Sequence, residues 1–450
     1  MMASACVSRT LRKAASAGRA RHFASGDLKK TLVHAEHVAD GGKMVDFAGY
    51  SMPVQYTKAD APHTMSIIDS TKWTRESASL FDVSHMCSIR WTGKDAFDFV
   101  ERVTTADVKG LDVMRGTLSV IPNEKGGIID DTMVTKCHSK EHGEHVYQVV
   151  NAGCAPKDLK HFEEQLGKFG GDVKMEVLWD SRGLYALQGP KAVAIVEKLA
   201  GKDLSKVSFG ESLWLNLLGA ECLVSRCGYT GEDGVEIFVP EEAAVKLWNA
   251  LKNMPEVKLA ALGARDALRL EAGLCLYGHD IDDTITPIEA GLTWVVGKSR
   301  RDPKAKNPFI GAEPILAQIT DKSLVKKLRV GLMQPAGPPA REGATIETPE
   351  GQHVANPQEE RRDRLRRQAV QQDGHAAAGR REGPRIPCHH GEDALCPHEV
   401  LQGVKKLPEQ GALRYLGNTF WQVRQFCSRG LQIRVLNGCH CTRRITAVLI

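Results

Sequence analysis

A turn-rich pentapeptide, residues 123–127, separates two apolar runs at residues 117–121 and 128–134. Such a loop with two glycines is typical of a β-hairpin, because glycine adopts the backbone angles that a tight reversal needs. The second run contains the consecutive aspartates Asp130 and Asp131. Aspartate is depleted in strands, since its carboxylate competes for backbone hydrogen bonds and resists burial. The pair therefore marks a candidate functional site on this hairpin.

Side chains alternate between the two faces of a strand, so Asp131 shares a face with Met133 and Asp130 shares the other with Thr132. The two carboxylates are then expected to serve opposite faces and not to form a catalytic dyad. The alternative is structural: both lie on an edge strand and accept hydrogen bonds from nearby backbone.

The chain of 450 residues is long enough for two or three domains. Its 42% hydrophobic and 26% charged residues are typical of a soluble globular protein. No apolar run approaches the roughly 20 residues of a membrane helix. The net charge of +5 is modest and much of the basic excess lies at the ends. We therefore expect neither a membrane nor a nucleic acid as partner.

Residues 1–25 contain five Arg or Lys residues and no acidic one. This composition predicts a mitochondrial transit peptide and a matrix location, with a mature protein that starts near Ala24. The alternative is an ordinary basic tail. The six cysteines between residues 87 and 275 are expected to be reduced and buried as small apolar side chains. Those of the C-terminal region fit no standard zinc spacing, so no metal site is expected.

Irregular, glycine-rich sequence at 41–86 follows neither a helical nor a strand period for long and is expected to line a site. Helices are then predicted at 94–103, 156–166, 191–199, 241–251 and 259–272. Strands are predicted at 145–150, 184–190, 221–226, 235–239 and 328–333. This mixture of helices and hairpins, without a regular βαβ repeat, favours an α+β fold.

Three further polar residues are candidates for a site. Asn151 ends an apolar strand, where it either caps the next helix or binds a ligand. Glu236 lies on the strand face opposite Val235, and is either solvated or functional. Arg265 is left free for an anion because Asp266 can pair with Arg269 at a spacing of three; ordinary surface pairing is the alternative.

After about Val354 the alternating apolar runs give way to sequence rich in Arg, Gly, Gln and His. Such a composition buries too little surface to offset the entropy of ordering. We expect 1–25 to be the transit peptide, 26–320 the α+β lobes, 321–354 the start of a β domain, and 355–450 a disordered tail. The abrupt change suggests a shifted reading frame or a mispredicted gene end.

Six segments occur in an order that resembles the aminomethyltransferase (T-protein) family of the mitochondrial glycine cleavage system. The segments are GGKMVDFAGY from Gly41, SLFDVSHM from Ser79, GGIIDD from Gly126, NAGC from Asn151, RCGYTGEDGVE from Arg226 and ARDALRLEAGL from Ala264.

The resemblance covers roughly residues 32–354 and implies a three-lobed cloverleaf around tetrahydrofolate, with α+β lobes and a C-terminal β-barrel domain, truncated or frame-shifted here. It implies transfer of the methylene of an aminomethyl group, carried on the lipoyl arm of the H-protein, to tetrahydrofolate as co-substrate, with release of ammonia. The other glycine cleavage subunits are implied as partners.

The family's catalytic aspartate aligns with Asp131, and its folate-binding residues with Glu236 and Arg265. Asn151, Tyr229 and Met52 are expected to add a hydrogen bond, ring packing and apolar packing to the ligand. Alternatives are the folate domain of sarcosine or dimethylglycine dehydrogenases, a non-catalytic folate-binding assembly factor, and a product inactivated by its altered C-terminus.

Overall fold

The computed structural model describes residues 28–333, apart from residues 60, 180 and 305–307, and beyond residue 333 the backbone of a few short strands. The helices are α1 His34–Ala39, α2 Ile67–Glu76, α3 Ala96–Val103, α4 Ala155–Phe169, α5 Ala192–Ala200, α6 Glu241–Lys252, α7 Leu262–Glu271 and α8 Ala312–Thr320, with 3₁₀ turns at Thr293–Val295, Lys298–Arg301 and Lys322–Leu324. The strands are β1 Gly42–Phe47, β2 Tyr50–Tyr56, β3 Ala78–Asp82, β4 Cys87–Thr92, β5 Arg115–Pro122, β6 Ile128–Ser139, β7 Gly143–Val150, β8 Lys174–Val177, β9 Arg182–Gln188, β10 Ser212–Leu217, β11 Ala220–Ser225, β12 Gly234–Pro240, β13 Val257–Leu259 and β14 Lys327–Met333.

The predicted hairpin is present as β5 and β6, which pair antiparallel with Val120 opposite Asp131. Its loop is closed by Asn123, whose side-chain oxygen accepts hydrogen bonds from the backbone N–H groups of Lys125 and Gly127 at 2.9 and 3.0 Å. Gly127 is required because a Cβ there would lie 1.9 Å from the carbonyl oxygen of Asp283. The hairpin is thus fixed both by its own turn and by a neighbouring loop.

This hairpin belongs to a five-stranded sheet with the order β5-β6-β7-β4-β8. Its outer face packs on α3 and α4 through a cluster that includes Trp91, Phe99 and Phe162. Trp91 meets Phe162 edge to face, with ring centroids 5.3 Å apart. Aromatic burial of this kind contributes much of a core's stability, so β6 lies on a rigid support.

A second, six-stranded sheet has the order β10-β11-β12-β9-β3-β13. All its neighbours are antiparallel except β13, which runs parallel to β3. Val235, Ile237 and Val239 of β12 point into a core that includes Trp248 of α6. Their alternation places Glu236 on the other face, as the sequence predicted.

The two sheets face each other through a third cluster, in which Tyr147 of β7 and Phe238 of β12 have ring centroids 4.9 Å apart. A cavity lies between the sheets. Its lining includes Met133 and Val149 from the first sheet and Glu236 from the second. Helices, two sheets and helices therefore form four layers, and the predicted α+β class is confirmed.

Two sequence predictions of local structure were wrong. Residues 41–86 form the hairpin β1–β2, the helix α2 and the strand β3. A register shift between Lys43 and Met44 interrupts the alternation in β1, which hides the strand period from the sequence. The helix predicted at 259–272 begins three residues later, because Leu259 ends β13 and pairs with β3.

Beyond β14, short strands occur at Thr345–Glu347, His353–Val354, Cys388–His389, Phe420–Arg424, Arg434–Leu436 and Ile445–Val448. The described residues form no closed barrel. The predicted transit peptide lies outside the described residues, as does most of the predicted tail, and the domain boundaries stay predictions. Within the described part of the chain, no helix combines the length and the apolar composition needed to cross a membrane.

Candidate active site

The two aspartates of β6 occupy the two faces that strand alternation predicts. Asp130 is fully buried on the side of Ile128 and Val134. Asp131 is partly exposed and lies on the face of Met133, which lines the cavity between the sheets. The aspartate that faces open space is therefore the one that the family resemblance selects as catalytic.

Asn151 follows the end of β7 and contacts both carboxylates. Its side-chain Nδ2 lies 2.9 Å from Oδ1 of Asp130 and 3.0 Å from Oδ1 of Asp131, and its backbone N–H donates to Oδ2 of Asp130 at 2.9 Å. The two carboxylates lie on opposite faces of β6, as expected, and both contact the side-chain amide of Asn151.

The alternative prediction, that the Asn151 side chain caps helix α4, is wrong. The residue before α4 is Cys154, and no side chain caps the helix there. The Asn151 side chain donates instead to the aspartates. The backbone carbonyl oxygen of Asn151 accepts from the N–H groups of Cys154 and Ala155, both at 2.9 Å. Asn151 is thus a positioning residue for the carboxylates.

The surroundings of Asp131 bring its pKa close to neutral pH. Burial raises the pKa of Asp131, the negative charge of Asp130 raises it further, and the amide of Asn151 offsets part of the increase, leaving it at about 7. A group with this pKa exists in both protonation states near neutral pH, which is optimal for proton transfer.

A second charged group of the candidate site is Arg265 of α7. Arg265 places its guanidinium 4.7 Å from the ring centroid of Tyr229. The Tyr229 hydroxyl donates to the carbonyl oxygen of Cys275. Burial raises the pKa of Tyr229, and the negative charge of Asp131 also raises it. Tyr229 therefore links Arg265 to the carboxylate cluster.

Glu236 is the electrostatic partner of Arg265. Burial raises the pKa of Glu236, while the charge of Arg265 and a hydrogen bond with Cys227 lower it. The solvated alternative for Glu236 is wrong, since its strand face is covered by the opposite sheet across the cavity. Burial correspondingly lowers the pKa of Arg265, and Glu236 opposes that change.

Arg265 has unused donor capacity. Its Nη1 is buried and has no hydrogen-bond partner among the described residues. Four residues along the helix, Arg269 is satisfied: it donates to Asp266 at 3.0 Å, as predicted, and to Asp280 at 2.5 Å. A buried guanidinium with a free N–H group is a receptor for an anionic or carbonyl group of a ligand.

Met52 is separate from this cluster in the described contacts. It lies in β2 with 1% of its surface exposed, so contact with a ligand would require neighbouring groups to move. Its role in ligand binding stays a prediction.

His85 is a further buried residue near Arg265, and the sequence analysis predicted no role for it. Its buried Nδ1 has no hydrogen-bond partner among the described residues, and its ring meets that of Phe47 edge to face at 5.3 Å. Burial, and to a lesser degree the charge of Arg265, lower the pKa of His85 to about 4, although Asp82 opposes this. The segment SLFDVSHM from Ser79 includes His85. The sequence alone did not place His85 near Arg265, because that proximity depends on the packing of β3 and α7.

Other predictions about reactive side chains concern cysteines and metals. Cys87, Cys137, Cys154, Cys222, Cys227 and Cys275 are free thiols, and all but Cys275 are buried. This confirms that these six are not paired in disulfides. In the described ranges, no group of three or more His, Cys, Asp or Glu side chains is arranged to hold a metal ion.

The chain is thus an α+β protein with acidic and basic groups between two sheets. Comparisons with known proteins identify the family that has this architecture. Residues 33–300 match the family described as the GCVT N-terminal domain. The mitochondrial aminomethyltransferase of Flaveria anomala is 50% identical over 340 residues, covering 74% of this chain and 79% of that protein. The human mitochondrial aminomethyltransferase is 45% identical over 331 residues, covering 73% and 77%.

A solved structure gives the same result. The glycine cleavage system aminomethyltransferase T from Bartonella henselae superposes with a TM-score of 0.64 at 34% sequence identity, and the match covers 73% of this chain and 84% of that one. The chain therefore belongs to the aminomethyltransferase family of the glycine cleavage system, and it is a transferase. The predicted mitochondrial location is confirmed by its similarity to proteins named mitochondrial.

Proposed function

We propose that this chain transfers the methylene of an aminomethyl group to tetrahydrofolate, with Asp131 as the catalytic residue. The observation that carries the proposal is the environment of Asp131, a carboxylate oriented by Asn151 whose pKa is raised to about 7 on the open face of β6. The amine that attacks the methylene carbon must lose a proton as the new C–N bond forms. A carboxylate with this pKa can accept that proton and release it again near neutral pH.

The same carboxylate has a second effect on the reaction. Positive charge develops on the carbon as the aminomethyl nitrogen leaves as ammonia, and the transfer is complete when a second folate nitrogen replaces the sulfur of the lipoyl arm, which leaves as a thiol. Asp130 and Asp131 place negative charge close to that carbon, and because Asp130 is fully buried its electrostatic effect is stronger than in bulk solvent.

Binding of the folate is proposed to depend on Arg265, Glu236 and Tyr229. The free N–H group of Arg265 suits a carbonyl or carboxylate oxygen of the ligand, and the Glu236 carboxylate suits N–H groups on a heterocycle edge. The Tyr229 ring offers a flat apolar surface between them and Asp131. The buried polar groups fit a ligand that carries both donors and acceptors.

Membership of the glycine cleavage system implies that the protein works with the other subunits of that system. The finer proposal is that the aminomethyl group arrives on the lipoyl arm of the H-protein. A flexible arm would deliver the group to the open face of Asp131 while the folate occupies the region of Arg265.

The test is the variant Asp131→Asn, which keeps the shape of the side chain and removes its charge. We expect turnover to ammonia and methylene-tetrahydrofolate to fall by about 100-fold or more, the usual contribution of a general base. Affinity for tetrahydrofolate, measured by fluorescence titration, should stay within about threefold because the proposed folate contacts are intact.

Asp98→Ala is the matched control, since Asp98 is an exposed aspartate that pairs with Lys109 on the far side of the same sheet. Wild-type turnover in Asp131→Asn would overturn the catalytic assignment. Tetrahydrofolate binding by the wild-type full-length chain without any transfer would favour a non-catalytic folate-binding protein.

A further inference from the structure

Gln188 is a buried residue at the end of β9 to which neither the sequence nor the proposed chemistry assigns a role. It has 0% of its surface exposed, although glutamine is usually a surface residue. Both ends of its amide form hydrogen bonds: Nε2 donates to the carbonyl oxygen of Cys227 at 2.9 Å, and Oε1 accepts from the hydroxyl of Thr230 at 2.8 Å. One side chain therefore holds two residues of a single loop.

The two residues that Gln188 holds lie on either side of Tyr229, whose ring is proposed to contact the folate. Their loop, residues 227–234, is rich in glycine. Glycine leaves the backbone with the most conformational freedom, so such a loop does not fix the position of a ring by local preference. A Cβ at Gly228 would lie 1.8 Å from Oε1 of Gln188, which shows that the loop packs directly against the amide. The position of Tyr229 therefore depends on Gln188.

The outer side of the same loop is held by Arg75 of α2. Its Nη1 donates to the carbonyl oxygen of Thr230 at 2.8 Å and to Oε1 of Glu232 at 2.9 Å, and its Nη2 donates to Oε2 of Glu271 at 2.7 Å. Glu271 ends α7, the helix that carries Arg265. These ionic partners are partly exposed, so they contribute less than the fully buried amide on the inner side.

We propose that Gln188 is a positioning residue for ligand binding, which holds residues 227–230 so that the Tyr229 ring is in place beside Arg265 before the ligand arrives. The guanidinium of Arg265 lies 4.7 Å from the centroid of that ring. A wall that is already ordered costs little conformational entropy on binding, so it increases the affinity. The inference rests on the proposed role of Tyr229 in folate binding and deepens it.

The experiment measures the dissociation constant for tetrahydrofolate by fluorescence titration of the full chain. Gln188→Met keeps the length of the side chain and removes both hydrogen bonds, so the loop loses its inner anchor. We expect the dissociation constant to rise about fivefold, because the ligand must then order the loop itself. At saturating tetrahydrofolate, kcat should stay within about twofold of wild type, since Asp131 is untouched.

Gln148→Met is the matched control. Gln148 is also a fully buried glutamine with both ends of its amide hydrogen-bonded, but its partners are Trp91 and Thr132 in the other sheet. The variant should lower the melting temperature much as Gln188→Met does, and it should leave the dissociation constant within about twofold of wild type. An equal rise of that constant in both variants would reflect general destabilisation and would overturn the proposal.

A double-mutant cycle with Tyr229→Leu tests whether Gln188 acts through the ring. If it does, Gln188→Met should weaken binding by less than about twofold once Tyr229 has been replaced. A loss as large as in the wild-type background would show that Gln188 acts elsewhere, and the proposal would be wrong. The same conclusion follows if Gln188→Met melts at a lower temperature but binds tetrahydrofolate as the wild type does.

Thr230→Val is a milder variant that tests the same contact if Gln188→Met does not fold. It removes the hydroxyl that donates to Gln188 and leaves the hydrogen bond to Cys227 in place, so the dissociation constant should rise about threefold. An unchanged constant in this variant would contradict the proposal.

Tyr229→Leu by itself separates the two possible failures. If this variant binds tetrahydrofolate as tightly as the wild type, the proposed contact between Tyr229 and the folate is wrong. If Tyr229→Leu binds more weakly while Gln188→Met does not, the folate contact stands and only the positioning role of Gln188 is wrong.

Discussion

Asp82 is a buried aspartate and Asp131 a partly exposed one, each on a strand of a different sheet, and their pKa values shift in opposite directions. Burial alone would raise the pKa of Asp82, but the hydrogen bond and charge of His37, together with Ser84, lower it to about 2. The same desolvation at Asp131 is reinforced by the negative charge of Asp130, and the pKa rises to about 7. Burial therefore does not decide the ionisation of these groups; their partners do.

The partners also separate structural from functional roles. Oδ2 of Asp82 lies 2.9 Å from Nε2 of His37, whose Nδ1 lies 2.9 Å from the hydroxyl of Tyr56, and the Ser84 N–H donates to Oδ1. This network is complete and buried. Asp131 instead shares one amide with another carboxylate and faces open space. A satisfied network stabilises the fold, while an incomplete one remains available for a substrate.

The largest effect expected from this comparison is on stability at Asp82. Asp82→Ala leaves the buried His37 and the Ser84 N–H without their acceptor, and we expect the free energy of unfolding to fall by about 3 kcal/mol. Urea denaturation measures it. The control Asp98→Ala should change the same quantity by less than about 1 kcal/mol, since exposed ion pairs contribute little. Equal losses in the two variants would contradict the contrast between the networks.

A smaller effect is expected from the two arginines of α7. Arg265→Lys keeps the positive charge beside Glu236 but removes the planar donor, so the dissociation constant for tetrahydrofolate should rise roughly tenfold. Isothermal titration calorimetry measures it. Arg269→Lys should leave that constant unchanged and lower the free energy of unfolding by about 1–3 kcal/mol, because its partners are internal. Weakened folate binding in Arg269→Lys alone would reverse the assignment.

A separate prediction concerns the dependence of stability on pH. Because the folded-state pKa of Asp131 is raised, the folded protein retains this proton above the pH at which the unfolded chain releases it. Stability should therefore decline as pH rises from about 4 to about 7 by an amount that Asp131→Asn lacks. The opposite sign holds for Asp82, whose contribution is complete above about pH 4 and is lost as pH falls toward 2. Parallel stability curves for wild type and Asp131→Asn would show that Asp131 is not desolvated.

Sequence reasoning located much of this site because it depends on short-range geometry. A period of two assigned Asp130, Asp131 and Glu236 to their strand faces, and a spacing of three paired Asp266 with Arg269. Local rules of this kind depend on the backbone of one element. Choosing Asp131 as the catalytic residue, however, required the resemblance of six ordered segments to a family.

Tertiary structure decided what no single element contains. The distances from Asn151 to two carboxylates and the proximity of Arg265 to Tyr229 and Glu236 join residues from different elements. The pKa of each carboxyl group depends on those neighbours, because electrostatic interaction strengthens as water is excluded. The sequence by itself determined which residues lie on the hairpin and which face each occupies; tertiary packing determined which groups surround each carboxyl group, and hence the direction in which its pKa is shifted.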